Sequence, residues 1–344
     1  MTRRLAPDMT SPMYTPQRVS AVVAALAEDG VAPADALKGS AISVASLNDP
    51  SARVSYEQVI RVFRNALALA RDPTIALRAG NRMHVTAYGI WGYALLSSRT
   101  CADVLDFAIH YRGVIGPLTE MTHNPTARPP TCGFRALLTS DATDPIYRFS
   151  LEFTYAAHLR LARDIFGEDF SLSRARVAYR APDYAARYRQ FFGCPVDFSQ
   201  TVNEISFDEA WLDCAPRTQD PITHAMATDM CRHIMMRLDQ SGGMATRVRQ
   251  ALLEQMPWRF PRVESMAEWL SLDARALRRR LEAQGTSYRK VLSEVRLALA
   301  LEYLQKTNMT TEQIATRLGY SDAANFRHAF ARWTGKSPQQ YREI

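Results

Sequence analysis

The feature that most constrains the fold is a two-helix pattern at residues 310–333. Its first helix carries apolar side chains at helical spacing, namely Ile314, Ala315 and Leu318. Gly319 then ends that helix, and Ser321 is placed to cap the next one. The second helix repeats large apolar residues at intervals of four and three: Phe326, Phe330 and Trp333. A short helix, a tight turn and a second helix with a polar, cationic outer face predict a helix-turn-helix unit.

The same pattern occurs earlier in the chain, at a repeat distance of about fifty residues. The apolar residues of its first helix are the counterparts of those just named: Met266, Ala267 and Leu270. Ser271 stands where the later copy has Gly319, and the second helix places Leu277 and Leu281 where the later copy has Phe326 and Phe330. Because an internal repeat is a stronger signal than a single match, we expect two helix-turn-helix units.

A long helix is predicted between the two units, at residues 288–307, where the sequence has neither Gly nor Pro. One side of this helix is apolar at Val291, Leu292, Val295 and Leu299, and roughly the opposite side at Leu297, Leu301 and Leu304. Such a helix packs against both units as a spine. About twenty residues at about 1.5 Å each span about 30 Å, close to the about 34 Å of one turn of B-DNA. The spine therefore predicts two recognition helices in successive major grooves.

The first recognition helix is expected at residues 273–284, with Asp273 as its N-cap. Leu277 and Leu281 face inward, which leaves Arg275, Arg278 and Arg279 facing outward. Arginine suits base readout because its planar fork can donate two hydrogen bonds to guanine. The alternative is that these arginines contact only phosphates, which would position the helix without reading sequence.

The second recognition helix exposes Asn325, Arg327 and His328 beside two alanines. One extra turn residue in this copy places Arg327 and His328 opposite Arg278 and Arg279. Histidine is shorter than arginine and mostly neutral at pH 7, and alanine offers little beyond contact with thymine methyl groups. We therefore expect this helix to discriminate between sequences less than the first, and a surface position with no role is the alternative for Asn325 and His328.

The positive charge of the chain is concentrated at its C-terminal end. Residues 245–344 contain 17 Lys and Arg against 10 Asp and Glu, which equals the whole net charge of +7. The rest of the chain is balanced, with 25 basic and 25 acidic residues. A basic module attached to a neutral one is the charge pattern expected of a nucleic-acid-binding domain with a partner domain.

The runs GTSYRKVLSEVRLALALEYL and IATRLGYSDAANFRHAFARWTGKSPQQYR resemble the DNA-binding domain of AraC/XylS-type transcriptional regulators. The resemblance covers residues 245–344, although such domains commonly have arginine where His328 stands. It implies a transcriptional regulator that binds double-stranded promoter DNA and recruits RNA polymerase, with activation favoured over repression.

The N-terminal part, residues 1–215, is predicted to form an α+β domain. Apolar stripes at helical spacing predict helices at residues 17–29, 55–71, 74–83 and 100–112. Two short strands, a long helix at residues 144–166, and further strands around a helix at residues 183–192 complete the order β-β-α-β-α-β-β. The predicted protein is thus multidomain, with this α+β regulatory domain ahead of an all-α tandem helix-turn-helix domain.

The N-terminal part also resembles a known family. The runs YGIWGYALLSSRTCADVLDFAIHYRGVIGP and APDYAARYRQFFGCPVDFSQTVNEISFDEAWLDCAP are similar to the arabinose-binding-type regulatory domain that precedes some AraC-type domains, over residues 30–215. This resemblance implies control by a small-molecule effector or by dimerisation, without indicating a ligand or its binding residues. The alternative is a ligand-independent dimeric regulator whose N-terminal domain only mediates protein–protein contacts.

Residues 216–244 are predicted to be a linker that contains a helix between the domains. That helix, at residues 222–240, places Met226, Met230, Ile234 and Leu238 along one side, and Ser241-Gly-Gly follows as a hinge. Methionine suits a surface that must repack, such as a homodimer contact. The alternative is an ordinary core helix of the N-terminal domain.

Several classes of protein are not expected. No apolar run approaches the about eighteen residues of a membrane-spanning helix, and the N-terminal residues lack the apolar stretch of a secretory signal. Five scattered cysteines without a CxxC pair indicate reduced thiols in a cytoplasmic protein and no zinc site. GxSxG, Walker-type and HExxH motifs are missing, and neither Cys194 nor Cys214 has the Pro-Cys-His setting of a repair methyltransferase. We therefore expect no enzyme, cofactor or metal.

Overall fold

The computed structural model describes residues 8–124, 126–241, 244–254, 260–307, 309–334 and 337–342. These residues fall into two compact units, one within residues 8–238 and one within residues 239–344. Among the described residues, no helix is both long enough and apolar enough to cross a bilayer. The first unit mixes helices with one sheet and the second is helical, so the predicted fold class is confirmed.

The first unit begins with six α-helices and continues with alternating strands and helices. The opening helices are α1 (Gln17–Glu28), α2 (Pro33–Ala36), α3 (Tyr56–Leu69), α4 (Ile75–Asn81), α5 (Gly89–Leu96) and α6 (Cys101–His110). They are followed by β1 (Thr119–Asn124), β2 (Thr131–Ala136), α7 (Pro145–Phe166), β3 (Leu172–Arg176), α8 (Ala186–Phe192), β4 (Val196–Asp197), β5 (Glu204–Phe207) and α9 (Pro221–Ser241). The predicted order of strands and helices after α6 is therefore observed.

The sheet has the strand order β1-β2-β5-β3-β4. Neighbouring strands run antiparallel except β3 and β4, which are parallel. In the β1–β2 pair, Thr119 lies opposite Ala136 and Asn124 opposite Thr131. Buried and exposed side chains alternate along β2, with Cys132, Phe134 and Ala136 buried, so one face of the sheet is covered by protein.

Helix α7 divides the first unit into two hydrophobic cores, because it is apolar on both sides. Phe149 and Phe153 pack with the helices α1 to α4, whereas Leu151 and Tyr155 pack with the sheet, α5 and α6. Asp144 caps α7 by accepting a hydrogen bond from the Ile146 N–H at 2.9 Å. Helix α7 is buried nearly all round over most of its length, and its buried polar residues include Glu152, whose carboxylate accepts hydrogen bonds from the Tyr184 and Tyr188 hydroxyls.

Helices α4 and α7 approach so closely that one position requires glycine. A Cβ atom built on Gly80 of α4 would lie 2.3 Å from the Phe153 carbonyl oxygen and 2.9 Å from the Ala156 Cβ of α7. Both distances are shorter than a van der Waals contact, so any side chain at position 80 must push the two helices apart.

The second unit consists of short helices around one long helix. The helices are α10 (Met244–Glu254), α11 (Val263–Trp269), α12 (Ala274–Glu282), α13 (Tyr288–Lys306), α14 (Thr311–Arg317), α15 (Ala323–Thr334) and α16 (Pro338–Arg342). Helix α13 is the predicted spine, and at about 1.5 Å per residue it is about 28 Å long. On one predicted side, Val291, Val295 and Leu299 are buried and Leu292 is half-buried. On the other side, Leu304 is buried and Leu297 and Leu301 are half-buried, so both apolar sides of the spine pack against the core of this unit.

Helix α10 was not predicted from the sequence. It packs against α13 and adds Met244, Val248 and Leu252 to the core of the second unit. These three residues recur every four positions, which is the spacing of one helix face. The apolar spacing that predicts α10 is therefore present in the sequence. Residues 255–259, which follow the helix, lie outside the described residues.

Candidate nucleic-acid interface

The two helix-turn-helix units have the same turn. Ser271 adopts φ +56° and Gly319 adopts φ +71°, so both residues that follow the first helix are left-handed. The Leu272 N–H donates to the Ala267 carbonyl at 2.8 Å, and the Tyr320 N–H donates to the Ala315 carbonyl at 2.9 Å. Matching backbone conformation and hydrogen bonds at corresponding positions show that the sequence repeat is also a structural repeat.

The inward faces of the two units are equivalent as well. Most residues predicted to build the units are completely or almost completely buried, namely Met266, Ala267, Leu277, Leu281, Ile314, Ala315, Leu318, Phe326 and Phe330. Leu270 and Trp333 are half-buried. The second helix of each unit, α12 or α15, packs on the first helix, α11 or α14. Packing through these residues leaves the opposite face of α12 and α15 to solvent.

Helix α12, the first recognition helix, begins as predicted and carries an exposed arginine cluster. Asp273 caps it by accepting a hydrogen bond from the Ala276 N–H at 2.8 Å, and this bond is the main reason that the pKa of Asp273 is lowered. Arg275, Arg278 and Arg279 are all exposed. The predicted end of the helix, residue 284, is two residues beyond the observed end at Glu282.

The three arginines of α12 are not equivalent. The Arg278 Nη2 donates to the Glu264 Oε1 of α11 at 2.9 Å, with both side chains more than half exposed. Arg275 and Arg279 have no ion pair within the described part of the chain. An exposed ion pair is weak, but Arg278 must still give up a carboxylate before it can bind a base or a phosphate, whereas Arg275 and Arg279 need not.

Helix α15 begins at Ala323, one residue later than a cap at Ser321 predicts. The N-cap is Asp322, whose Oδ1 accepts from the Asn325 N–H at 2.7 Å, so the prediction of Ser321 is wrong. The Ser321 hydroxyl instead donates to the Asp322 Oδ2 at 3.0 Å. The hydrogen bond from the Asn325 N–H is the largest cause of the lowered pKa of Asp322. A carboxylate at this position also suits the positive end of the helix dipole.

The predicted DNA-binding residues of α15 differ in availability. The Asn325 Nδ2 donates to the Ser321 Oγ at 2.9 Å and to the Asp322 Oδ2 at 2.8 Å, so its amide is held at the helix start. Arg327 and His328 are exposed, and neither has a side-chain partner in the part of the chain that the structure describes. The second recognition helix therefore presents one unpaired arginine and one histidine, with Asn325 serving the cap.

A basic groove beside the spine was not anticipated. It has a volume of about 490 Å³ and lies between the start of α13 and the end of α15. Its cationic lining residues are Arg289, Lys290 and Arg332, and Glu294 is its acidic lining residue. The adjacent pair Arg289-Lys290 is visible in the sequence, but Arg332 comes from another helix, so the groove depends on how the helices pack.

Arg296 joins the spine to the turn of the second unit. Its guanidinium lies over the Tyr320 ring at 4.8 Å and over the Phe260 ring at 5.2 Å. Its Nη2 also lies 3.4 Å from the Gly319 carbonyl oxygen. Cation–π contacts of this kind contribute about 0.5–1 kcal/mol when exposed, so Arg296 helps to hold α14 and α15 on α13.

The interdomain helix α9 matches neither predicted alternative completely. Ala227 and Cys231 are buried in the core around the sheet, as an ordinary core helix requires. Met226 and Met230, one position before each of them, are 69% and 57% exposed. The helix therefore covers the sheet core with one face and presents a methionine face to solvent, while Ile234 and Leu238 are half-buried.

The cysteines have the character of core residues. All five are free thiols and four of them are buried, namely Cys101, Cys132, Cys194 and Cys231. Burial raises the pKa of Cys101 and Cys132 to about 12, so both are protonated at neutral pH and poor nucleophiles. Among the described residues, no group of three or more His, Cys, Asp or Glu side chains is arranged to hold a metal ion.

Comparison with known proteins places both halves of the chain. The arabinose-binding domain of AraC transcription regulators matches residues 30–215, and a helix-turn-helix domain matches residues 266–344. The ornithine utilization regulator of Pseudomonas aeruginosa is 33% identical over 98% of each chain. The urease operon transcriptional activator of Escherichia coli is 34% identical over 26% of this chain and 31% of its own. The solved structure of CdpR from P. aeruginosa covers 95% of this chain and 98% of its own, with 24% identity and a TM-score of 0.49.

The two family matches lie one in each unit. The N-terminal match spans more than half of the chain, and the P. aeruginosa relative is similar along almost its whole length. The relatives are transcriptional regulators and not enzymes, as expected. The chain belongs to the AraC-type transcriptional regulators, with an arabinose-binding-type N-terminal domain and a helix-turn-helix DNA-binding domain.

Proposed function

We propose that this regulator binds promoter DNA through both helix-turn-helix units and activates transcription in the cytoplasm, under the control of its N-terminal domain. The observation that carries the proposal is the repeated unit with its two outward-facing helices, α12 and α15, in the part of the chain that holds all the excess positive charge. A basic module of this kind supplies the phosphate attraction on which DNA affinity depends.

In this proposal, helix α12 makes most of the contacts that distinguish one DNA sequence from another. Arg275 and Arg279 are exposed and unpaired in the described part of the chain, and Arg278 joins them when its ion pair with Glu264 opens. Arg327 and His328 of α15 make fewer or weaker base contacts, and Asn325 contributes mainly through the helix cap. Bidentate arginine–guanine contacts are the commonest specific contacts in the major groove.

Similarity to other regulators supports the proposed activation of transcription and the proposed contact with RNA polymerase. A relative that is similar to this chain over 91 residues is named as a transcriptional activator. We propose that the DNA-bound protein contacts RNA polymerase, as the resemblance to AraC-type domains implies. The basic groove beside α13 is more suited to phosphates than to this contact, because three cations line it.

Control is proposed to come from a small-molecule effector. The N-terminal match is to an arabinose-binding domain, and the P. aeruginosa relative is named for the use of a small metabolite. Residues 1–215 then form the effector-binding domain, residues 216–244 the linker with its helix, and residues 245–344 the DNA-binding domain. The alternative is a ligand-independent dimer whose N-terminal domain only mediates protein–protein contacts, which the exposed methionine face of α9 would also support.

A footprint tests the proposed DNA-binding mode. Because α13 is about 28 Å long, the two recognition helices are expected in successive major grooves on one face of the duplex. Hydroxyl-radical footprinting of the purified full chain on its promoter should then show two protected patches about 10 base pairs apart for each protomer. Protection of a single groove would contradict the use of both units, and no sequence-selective protection at all would contradict the proposed function.

A further inference from the structure

A small cavity lies inside the N-terminal unit, where α1, α5, α6, β1 and α7 meet. Its volume is about 50 Å³, which by the about 10–15 Å³ that one water requires is room for roughly four water molecules. Its polar lining comes from seven residues in separate parts of the sequence: Arg18, Tyr88, Trp91, Arg112, Thr119, Thr154 and His158. No part of the DNA-binding machinery contributes to it.

The charged groups of this cavity are both cationic. Arg18 and Arg112 line it, and no Asp or Glu does. The Arg18 Nη1 donates to the Ile115 carbonyl at 2.5 Å, and Arg18 has no carboxylate partner among the described residues. Arg112 is already paired, since its Nη1 donates to the Ile109 carbonyl at 2.7 Å and its Nη2 lies 3.5 Å from a Glu120 carboxylate oxygen. One positive charge therefore remains to be balanced at the cavity.

The neutral polar groups also favour a hydrogen-bond acceptor. Trp91 is 3% exposed, and its buried Nε1–H has no acceptor within the described residues. His158 uses Nδ1 to donate to the Thr154 carbonyl at 2.8 Å, and burial lowers its pKa, so it adds no charge. A buried indole N–H without a partner is uncommon and costs free energy unless something accepts from it.

The rest of the lining is apolar, with Met121, Phe153, Ala157 and Leu161 among its residues. A ligand that satisfies this cavity needs a compact anionic head with acceptor oxygens and a short apolar body. A carboxylate supplies such a head because its two oxygens accept charge-assisted hydrogen bonds from arginine. An amine would be repelled by both guanidinium groups, and an alcohol would leave the charge unbalanced.

We propose that this cavity is the effector site and that it takes a short aliphatic monocarboxylate, with the carboxylate bound by Arg18, Arg112 and the Trp91 N–H and the apolar body against α7. This inference rests on the proposed control by a small molecule, and it adds the site and the chemical class. A mostly apolar lining with a few polar groups is typical of small-molecule sites, and the small volume of this cavity restricts the ligand to a short chain.

The test is a titration of the purified full chain with sodium ethanoate, butanoate and hexanoate, with butan-1-ol and butylamine as matched neutral and cationic probes. Tryptophan fluorescence and the thermal midpoint are the readouts. Butanoate is expected to change both and to bind at least about tenfold more tightly than butan-1-ol, the loss expected for one charge-assisted interaction. Equal responses to the acid, the alcohol and the amine would overturn the proposal.

Three variants locate the binding site. Arg18→Gln removes the positive charge, Trp91→Phe removes the indole N–H, and Ala157→Leu fills the cavity. Each variant should weaken butanoate binding about tenfold or more. Arg99→Gln is the control, since the Arg99 side chain is 78% exposed and pairs with Asp103 on the surface. If one variant fails to fold, the other two still show whether butanoate binds in this cavity. Wild-type affinity in the folded variants overturns the proposed site.

Promoter binding, measured in the same samples, keeps the two proposals separate. If butanoate binds in the cavity without changing promoter affinity, the site stands and effector control through it fails. If no carboxylate binds but a metabolite of another class changes promoter affinity, control by an effector stands and the proposed site and ligand class fail.

Discussion

At the scale of single residues, the left-handed turn of each helix-turn-helix unit shows how two copies of one motif differ. Gly319 adopts its φ of +71° without a Cβ, whereas Ser271 holds φ +56° with one. The left-handed conformation costs a residue with a side chain roughly 1–2 kcal/mol. The first unit therefore carries strain in its turn that the second unit avoids.

This difference predicts that Ser271→Gly stabilises the C-terminal unit by about 1 kcal/mol or somewhat less, since the extra freedom of glycine in the unfolded chain offsets part of the gain. The reciprocal change, Gly319→Ser, should destabilise by about 1 kcal/mol. A Cβ at position 319 would meet the Arg296 Nη2 at 3.4 Å and the Phe260 Cδ2 at 3.6 Å, which are ordinary contact distances, so the cost comes from the left-handed backbone. Urea denaturation of the full chain followed by circular dichroism measures both. A loss of stability in Ser271→Gly would show that the Ser271 side chain has a structural role.

The arginines of α12 could contact either bases or phosphates, and substitutions distinguish the two. If Arg279 reads a base, Arg279→Ala should cost about 1–3 kcal/mol on the footprinted site and relax preference at one base pair. Arg278→Ala is the matched comparison, and its effect should be smaller because Arg278 first has to leave Glu264. Fluorescence anisotropy with a panel of single-base variants measures both. If Arg279→Ala lowers the affinity equally for every sequence, and the salt dependence of binding falls by the amount expected for about one phosphate contact, then Arg279 contacts a phosphate.

At the scale of secondary-structure elements, two long helices organise the two units. Helix α13 shares one hydrophobic core with both helix-turn-helix units. It packs on α15 of the second unit, whose turn its Arg296 reaches, whereas α11 and α12 of the first unit pack on α10, which in turn packs on α13. Helix α7 separates two cores and lines the proposed effector cavity with Phe153, Ala157 and Leu161. The position of α7 therefore sets both the stability of the N-terminal unit and the shape of that cavity.

The close contact between α4 and α7 predicts that Gly80→Ala destabilises the N-terminal unit by about 1–3 kcal/mol, the usual cost of forcing an extra methyl group into a packed contact. The added Cβ would meet the backbone of Phe153, which cannot rotate away. Differential scanning calorimetry of the full chain measures the effect. Asn81→Ala, at an exposed position of the same helix, should stay within about 0.5 kcal/mol of the wild type. No change in Gly80→Ala would mean that α4 can shift.

At the scale of the whole molecule, a neutral α+β unit is joined to a basic helical unit, and the helix α9 carries the chain from one towards the other. Its methionine face is apolar and exposed, with Ile222, Met226 and Met230 at intervals of four. We propose that this face pairs with the same face of a second copy, since the stripe is self-complementary and methionine adapts to repacking.

This proposal predicts that Met230→Arg shifts the protein towards monomer, because pairing would then bury two arginines without a carboxylate partner. Sedimentation-velocity ultracentrifugation across a concentration series measures the change, and Met230→Leu is the control that keeps the face apolar. The N-terminal fold should be unaffected, since Met230 is 57% exposed and the core contacts of α9 come from Ala227 and Cys231. A wild-type dimer that survives Met230→Arg would place the dimer interface elsewhere.

The sequence by itself determined the helix-turn-helix units, their repeat, the spine and the α+β order, because each depends on periodicity and turn chemistry within a short stretch. The equivalence of Ser271 and Gly319, and the cap at Asp273, could be predicted for this reason. The Ser321 cap was misplaced by one residue, since two neighbouring residues both had side chains that can cap.

Only the tertiary structure decided which separate segments meet. It paired Arg278 with Glu264, turned Met226 outward while Ala227 packed inward, and brought Arg18, Arg112 and His158 to one cavity. The physical reason is that periodicity reports which side of an element is buried but not what it packs against. A cavity or an ion pair between distant segments depends on that packing, so neither could be predicted from the local pattern.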